Sequence, residues 1–140
     1  MKMLAEDIKN GNFKTAYLFC GEEAYLRNQY KNRLAQALCD PSDTMNFSRF
    51  EGKNIIPAEV ISLADTLPFF AERRLILIED SGFFKNKCDE LADYLPKMPD
   101  TTCIIFVETE ADKRNRLYKA VQKQGRVIEF QTQDERTLMK

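Results

Sequence analysis

Three short apolar runs, almost free of polar side chains, constrain the fold of this chain more than any other feature. They lie at residues 16–20, 74–78 and 102–107. A strand that is apolar at successive positions is covered on both faces, which is typical of a parallel sheet packed between helices. We therefore predict three central strands at these positions.

The segments between the runs repeat apolar residues at helical spacing. They predict helices over residues 24–38, from Pro57 to a stop at Pro68, around residues 91–95, and from about residue 113 to residue 124. Pro57 suits the first turn of a helix, because its missing N–H would have no partner there anyway.

Two further strands complete the pattern. Residues 45–50 alternate polar and apolar side chains and predict an edge strand, and residues 126–130 predict a last strand. A helix lies between the third central run and the last strand. Its candidate N-cap is Asp112, and its candidate C′ residue is Gly125. The order βαβαβαβαβ predicts a three-layer α/β fold, with a mostly parallel, five-stranded sheet and helices on both faces.

Length and composition favour one cytoplasmic domain. The chain has 140 residues, of which 44% are hydrophobic and 31% charged, as in ordinary globular proteins. No apolar stretch is long enough to span a membrane, and the first residues are too acidic for a signal peptide. We expect residues 1–131 to form the domain. Residues 132–140, where Thr132 and Glu135 mark a helix start, are expected to begin a following helical domain that is cut short.

The residue counts argue against most enzymes. The chain has no histidine, so it lacks the commonest general acid/base and the commonest metal ligand. A net charge of −1 gives no overall attraction to nucleic acid. We expect buried, reduced thiols and no metal site from the cysteines, which are widely spread: Cys20, Cys39, Cys88 and Cys103.

The first strand-to-helix loop is the place where an α/β sheet of this kind binds nucleotides. Here the loop reads Gly21-Glu22-Glu23-Ala24 and lacks both glycine-rich phosphate-binding motifs. A phosphate would meet two carboxylates there, where it needs bare N–H groups and a lysine. We therefore expect no nucleotide binding at this loop by the usual route, and no cofactor.

Acidic residues follow two of the central strands. They are Glu79-Asp80 after the second run, and Glu108 and Glu110 after the third. A magnesium-holding acid occupies such a position in phosphate-loop enzymes. One hypothesis is therefore a nucleotide-dependent, P-loop-like enzyme with a degenerate site that uses Glu79 and Asp80. The simpler interpretation is that all these acids are exposed at strand ends.

The last predicted helix and its end are basic. The cations are Lys113, Arg114, Arg116, Lys119, Lys123 and Arg126. We interpret them as a solvated face, which is the usual role of such a run. Direct DNA binding is the alternative, and it predicts a steep dependence on salt.

The remaining feature is the sequence Leu67-Pro68-Phe69-Phe70. Leu67 lies in phase with the apolar stripe of the preceding helix, so it fits the core and an interface equally well. Phe69 and Phe70 lie out of phase, beyond a helix-stopping proline, so at least one ring is expected to be partly exposed. Exposed aromatic side chains that enter a partner's pocket are typical anchors of protein interfaces.

Three sequence motifs resemble, in this order, the delta subunit family of the bacterial DNA polymerase III clamp loader. They are Tyr17-Leu18-Phe19-Cys20-Gly21-Glu22-Glu23-Ala24-Tyr25-Leu26, then Leu67-Pro68-Phe69-Phe70-Ala71-Glu72-Arg73-Arg74-Leu75, then Asp112-Lys113-Arg114 with Leu117-Tyr118-Lys119-Ala120. The similarity covers the whole chain, as the N-terminal domain of that family. It implies an AAA+-like domain that has lost its phosphate loop, in agreement with the acidic loop.

The resemblance also implies a role in DNA replication. Delta subunits bind the ring-shaped sliding clamp, the beta subunit, through a hydrophobic element and open the ring for loading onto primed DNA. Carried over by position, that element is a wedge formed by Leu67, Phe69 and Phe70. Clamp-binding peptides often carry a glutamine three residues before the first apolar anchor, where this chain has Ala64.

Other tasks of the clamp loader are implied to lie elsewhere. ATP binding would belong to the partner subunits, tau/gamma and delta prime, which would be joined through further delta domains. No intrinsic catalysis is expected in this domain, although the family is part of the DNA polymerase III holoenzyme, a DNA-directed DNA polymerase. DNA contact by this domain is expected to be weak or absent.

Overall fold

The computed structural model describes residues 6–7, 9–10, 13–38, 46–68, 73–86 and 88–130. The five strands are β1 (Ala16–Cys20), β2 (Phe47–Glu51), β3 (Arg74–Glu79), β4 (Thr102–Glu108) and β5 (Arg126–Glu129). The helices between them are α1 (Ala24–Leu38), α2 (Pro57–Ala64), α3 (Asp89–Tyr94), which continues as the 3₁₀ turn Leu95–Lys97, and α4 (Arg116–Gln124).

All five strands run parallel in one sheet, in the order β2-β3-β4-β1-β5. The predicted three-layer α/β fold is confirmed, and β2 lies at the border as expected for the alternating segment. After β1 the chain crosses to β2 at one border, whereas after β4 it crosses over β1 to β5 at the other. The sheet therefore has its topological switch point between β1 and β4.

The two faces of the sheet bury separate apolar layers. Successive residues of a strand point to opposite faces, so Leu18, Ile76 and Phe106 pack against α2, α3 and α4. Phe19 and Leu77 face the other way, against α1. The uninterrupted apolar runs of the sequence are thus explained, because β1, β3 and β4 are covered on both sides.

One glycine is required where α4 meets β5. A Cβ atom on Gly125 would lie 1.6 Å from the Ala16 carbonyl oxygen at the start of β1. No other residue fits so close to a neighbouring backbone. Gly125 directly follows the last helix, but as its C-cap with a φ of −155° and not as the predicted C′ residue. The glycine is required by this close approach and not by a left-handed conformation.

The start of α4 differs from the prediction. The N-cap is Asn115, whose side-chain oxygen accepts from the N–H groups of Leu117 at 2.8 Å and Tyr118 at 3.3 Å. Asp112 instead closes a separate turn by accepting from the Arg114 N–H at 2.9 Å. Asn115 is favoured as the N-cap because its amide nitrogen also donates to the Phe83 carbonyl at 3.1 Å. This bond connects the helix start to the rest of the fold.

The first described residues are fastened to the amino end of the sheet by Asp7. Its carboxylate accepts from the Tyr17 hydroxyl at 3.0 Å and from Arg126 Nη2 at 3.0 Å. Hydrogen bonding by Arg126 is the main reason that the pKa of Asp7 is lowered. A buried carboxylate paired in this way stabilises the fold as long as it is ionised.

The remaining predictions on composition concern cysteines and membranes. Cys20, Cys88 and Cys103 are buried and free, as predicted, and burial raises the pKa of Cys20 to about 12. Cys39 lies outside the described residues. None of the described helices is long and apolar enough to cross a membrane.

Candidate functional site

The exit segment, which we define as residues 65–68, leaves α2 at the amino ends of β3 and β4. Helix α2 ends at Ala64, so Leu67 does not continue its apolar stripe. The Leu67 side chain is 66% exposed. The predicted helix end at Pro68 is therefore wrong, because α2 ends three residues before Leu67. Of the two roles left open for Leu67, the core role is excluded by its exposure.

Two buried polar residues hold the chain where the helix ends. Arg74 and Thr102 are neighbours in the register of β3 and β4. The Thr102 hydroxyl donates to the Ala64 carbonyl at 2.7 Å. Arg74 Nε donates to the Thr66 carbonyl at 3.0 Å, and its Nη2 donates to the Leu67 carbonyl at 3.2 Å. The last carbonyls of a helix lack partners within the helix, and here the sheet supplies donors for this region.

The chain is also held at Arg73, where the described residues resume after Pro68. Phe69 and Phe70, the other two predicted wedge residues, lie outside the described residues, so their part in the wedge stays a prediction. At Arg73 the guanidinium stacks over the Phe13 ring, 4.8 Å from its centroid. Cation–π contacts of this kind are attractive. The segment that contains the predicted wedge is thus flanked by two anchored positions.

The position of the missing glutamine faces the core. Ala64 is fully buried, and its carbonyl is the one that Thr102 binds. A larger side chain at residue 64 would enter the packed layer under α2 and would not reach solvent beside Leu67. In this chain the amino end of the sheet therefore offers an apolar contact at Leu67 without a neighbouring amide at position 64.

The loop at the opposite, carboxyl end of the sheet is tightly closed. Gly21 N–H donates to the Thr109 carbonyl at 3.1 Å, and Glu23 N–H donates to the Phe130 carbonyl at 2.9 Å. The Arg27 guanidinium donates to the Gly21 carbonyl. The backbone N–H groups of Gly21 and Glu23 therefore already have hydrogen-bond partners within the protein. A helix start that binds phosphate needs such groups to point at the ligand.

Beside this loop lies an open cavity of about 380 Å³. Its lining includes three carboxylates, from Glu22, Glu110 and Glu129, and one cation, Lys113. Lys113 Nζ lies 3.3 Å from Glu129 Oε1 and is therefore paired. The electrostatics of the cavity oppose a phosphate, since like charges repel.

Glu79 corrects the interpretation that all the acids are exposed. Its carboxylate lies 3.2 Å from Lys31 Nζ and 2.7 Å from Arg49 Nε. The side chain is only 10% exposed, because β3 continues through Glu79 and turns it toward α1. Asp80, the next residue, is exposed as predicted. The pair is therefore split, with Glu79 in a structural ion-pair network.

Glu108 is a second buried acid, again against the prediction, whereas Glu110 is exposed. The Glu108 carboxylate accepts from Ser81 N–H at 3.0 Å, the Ser81 hydroxyl at 2.8 Å and Gly82 N–H at 3.1 Å. Burial raises the pKa of Glu108, and these hydrogen bonds oppose the shift. Within the described residues, no group of three or more cysteines and acids is placed to hold a metal ion.

The basic residues before and in α4 are partly neutralised. Arg114 pairs with Asp112 at 3.2 Å, and Arg116 pairs with Asp89 at 3.2 Å. Lys119 and Lys123 are exposed. Paired cations attract a phosphate backbone less than bare ones do, so the interpretation as a solvated face fits the geometry better than DNA binding does.

Comparison with known proteins decides the family. The family described as "DNA polymerase III, delta subunit" matches residues 17–131 of the chain. This match includes four of the five strands complete and all four of the labelled helices, and it includes the exit segment. The chain belongs to the DNA polymerase III delta subunit family.

A relative within the delta family agrees with this assignment. The chain is 27% identical over 136 residues to the DNA polymerase III subunit delta of Bacillus subtilis (strain 168), covering 89% of this chain and 39% of that protein. The chain thus spans about two fifths of that relative's length.

Solved structures show the same fold. The Bacillus subtilis DNA clamp loader delta protein superposes with a TM-score of 0.81 and 23% identity, covering 93% of this chain and 42% of that chain. A DNA polymerase III gamma subunit-related protein from Thermotoga maritima superposes with a TM-score of 0.61 and 12% identity, covering 91% of this chain and 45% of that chain. The AAA+-like architecture implied by the resemblance is confirmed.

Sequence reasoning missed Arg74 and Thr102 as residues of the site in this delta-family chain. A signal was available, because each is a polar residue that opens a strand and lies two positions before an inward-facing isoleucine, Ile76 or Ile104. Because side chains alternate between the two faces along a strand, Arg74 and Thr102 must point to the same face as these isoleucines, toward α2. Buried polar groups need partners, so donors aimed at a helix end could have been inferred.

Proposed function

We propose that this chain is the part of a clamp-loader delta subunit that binds the ring-shaped sliding clamp and opens it for loading onto primed DNA. The contact is made by the wedge of Leu67, Phe69 and Phe70. The observation that carries the proposal is the state of Leu67, whose side chain is 66% exposed while its own carbonyl is held by buried Arg74. An apolar side chain held in solvent on a fixed backbone is suited to enter a partner's pocket.

The burial of three apolar side chains is large enough in free energy to support binding. Fully burying a leucine or phenylalanine side chain stabilises a complex by about 1.5–3 kcal/mol. Three of them have to overcome the loss of translational and rotational freedom on association, and the separate cost of ordering the backbone is smaller where that backbone is already held, as at Leu67. Since Ala64 is buried, the affinity rests on apolar burial, without a glutamine at that position.

Ring opening follows from differential affinity. A ligand shifts an equilibrium only if it binds one state more tightly than the other. The wedge opens the clamp because its pocket accepts the three side chains better when the neighbouring ring interface is parted. ATP binding and DNA loading belong to the partner subunits, tau/gamma and delta prime, which contact regions of delta outside this chain. This domain has no catalytic step of its own.

The direct test is a binding titration with the sliding clamp of the same organism. Replacing both rings, Phe69→Ala with Phe70→Ala, is expected to weaken binding by at least about 100-fold. Leu67→Ala is expected to weaken it less, by about tenfold. The matched control is Tyr25→Ala, because Tyr25 is 65% exposed but lies in α1 at the carboxyl end of the sheet.

The control variant should bind like the unaltered chain. Thermal unfolding checks that each variant keeps its fold. Unchanged binding by the double variant would exclude the wedge, and loss of the fold would place the rings in the core. A fluorophore pair across the clamp's ring interface reports opening, which the unaltered chain should promote and the double variant should not.

A further inference from the structure

Arg74 is an unusual residue to find beneath an exposed apolar side chain. It is 5% exposed, and its side chain reaches away from β3 toward the end of α2. Its Nε lies 3.0 Å from the Thr66 carbonyl oxygen, and its Nη2 lies 3.2 Å from the Leu67 carbonyl oxygen. One guanidinium therefore holds two consecutive carbonyls of the exit segment.

We propose that Arg74 is a positioning residue for the wedge, an inference that rests on the proposed function. By fixing the Leu67 carbonyl, Arg74 fixes the peptide that joins Leu67 to Pro68. The φ angle of a proline is restricted by its ring, so the backbone at Leu67 and Pro68 has few other conformations open to it. The side chain that enters the clamp is thus oriented before the clamp arrives.

The chemistry of arginine suits this task better than packing alone would require. Its planar fork presents several donors in a fixed arrangement, which matches two successive carbonyl oxygens. Burying a charge is costly, and an apolar residue at this position would fill the same space at lower cost. Among the groups that offset this cost are two carbonyls of the exit segment, one of which belongs to an exposed residue of the wedge.

The neighbouring strand supports the same arrangement. Thr102 is paired in register with Arg74 and donates to the Ala64 carbonyl at 2.7 Å. Thr102 thus fixes the last residue of α2, whereas Arg74 fixes the residues that follow. Order in this segment is established during folding, so binding loses less conformational entropy at the moment of contact.

The first test compares Arg74→Met, which keeps the aliphatic bulk, with Arg74→Lys, which keeps a charged donor. Clamp affinity of Arg74→Met is expected to fall about tenfold, and Arg74→Lys is expected to recover part of this loss. Arg126→Met is the control for general destabilisation, because Arg126 holds Asp7 at the same end of the sheet. It should lower the melting temperature and leave clamp affinity within about twofold of the unaltered chain.

The second test needs no clamp. Amide hydrogen exchange in the free protein measures local opening. Peptides that cover residues 62–68 are expected to exchange about tenfold faster in Arg74→Met, whereas peptides from α4 should be unchanged. Arg126→Met should not produce this local increase.

The outcomes separate the two proposals. If the unaltered chain fails to bind the clamp while exchange at residues 62–68 still rises in Arg74→Met, the proposed function is wrong and the orienting role of Arg74 stands. If Arg74→Met binds the clamp as tightly as the unaltered chain, or if its exchange is unchanged, the positioning role is overturned. If Arg74→Met does not fold, Arg74→Lys with Thr102→Val as its partner variant carries the same test. In that case, unaltered affinity and exchange in both variants would reject the role.

Discussion

At the amino ends of β3 and β4, buried polar side chains reach outward to hold a backbone segment whose leucine stays in solvent. At the carboxyl ends of β1, β3 and β4, acidic side chains and a tight loop bind back onto the protein itself. Arg74 and Thr102 bind carbonyls at the first end. Glu79 and Glu108 bind side chains and N–H groups at the second.

The difference between the two ends separates fold from function. In open α/β sheets, ligands usually bind at the carboxyl ends of the strands, and in this chain Gly21 N–H and Glu23 N–H are already used there. Leu67, which belongs to the proposed wedge, is exposed at the opposite end. Under the proposed function, a fold known for binding nucleotides presents its interaction surface at the end that the nucleotide does not use.

The largest expected effect on stability comes from a substitution that breaks the closed loop at the carboxyl end of the sheet. A Cβ atom on Gly21 would lie 2.1 Å from the Phe130 carbonyl oxygen, and the residue has a φ of +116°. Gly21→Ala is therefore expected to lower the free energy of unfolding by about 3 kcal/mol or more. Gly52→Ala is the control, because Gly52 has a φ of +94° with no atom within 4 Å of its Cβ position. It should cost about 1 kcal/mol. Chemical denaturation measures both, and equal losses would contradict the close packing.

The next effect tests how the amino end is fastened. Asp7→Asn removes the charge that Arg126 holds and is expected to lower the free energy of unfolding by about 2 kcal/mol at pH 7. The folded-state pKa of Asp7 is lowered below 3.8, so the stabilisation is present above that pH and is lost as the pH falls through the folded pKa. Denaturation curves from pH 7 down to about pH 3 should show the two proteins converging. A constant gap would assign the loss to packing.

A smaller effect concerns the absent glutamine. Ala64→Gln places an amide in the packed layer under α2, where Ala64 is fully buried. We expect a loss of about 1.5 kcal/mol in the free energy of unfolding and no tighter clamp binding. Denaturation and the clamp titration measure the two quantities separately. A gain in affinity with an unchanged fold would mean that position 64 reaches the partner after all.

The smallest expected effect is at the cavity beside the closed loop. A ligand that binds the folded state raises the melting temperature by mass action. Millimolar ATP with magnesium is expected to leave the melting temperature of this chain unchanged. A concentration-dependent rise would revive the hypothesis of a degenerate nucleotide-dependent enzyme and would remove the contrast between the two ends.

The features that the sequence predicted well are those decided by local pattern. β1 and α1 have the predicted bounds, because an unbroken apolar run and a regular helical stripe leave little choice. β3 and β4 begin where predicted for the same reason. The βαβ alternation then determined a parallel sheet.

The features that it missed are decided by distant hydrogen bonds. The end of α2 depends on Arg74 and Thr102, and the start of α4 depends on Asn115 reaching Phe83. From the sequence, Glu79 was expected to be an exposed acid. In the structure it pairs with Lys31, which lies 48 residues earlier in the chain, on α1. Such partners cannot be found from periodicity, because they come from other elements of the fold.

The position of Arg49 has a consequence for solubility. β2 has a single neighbour, β3, in the described sheet. An uncovered strand edge can pair with a strand of another molecule and so begin aggregation, and charged side chains discourage such pairing. Arg49, on β2, is 55% exposed and lies between the carboxylates of Glu51 and Glu79. The ion pairs that neutralise a buried acid therefore also place charge along the open border, where it helps to keep separate molecules from joining edge to edge.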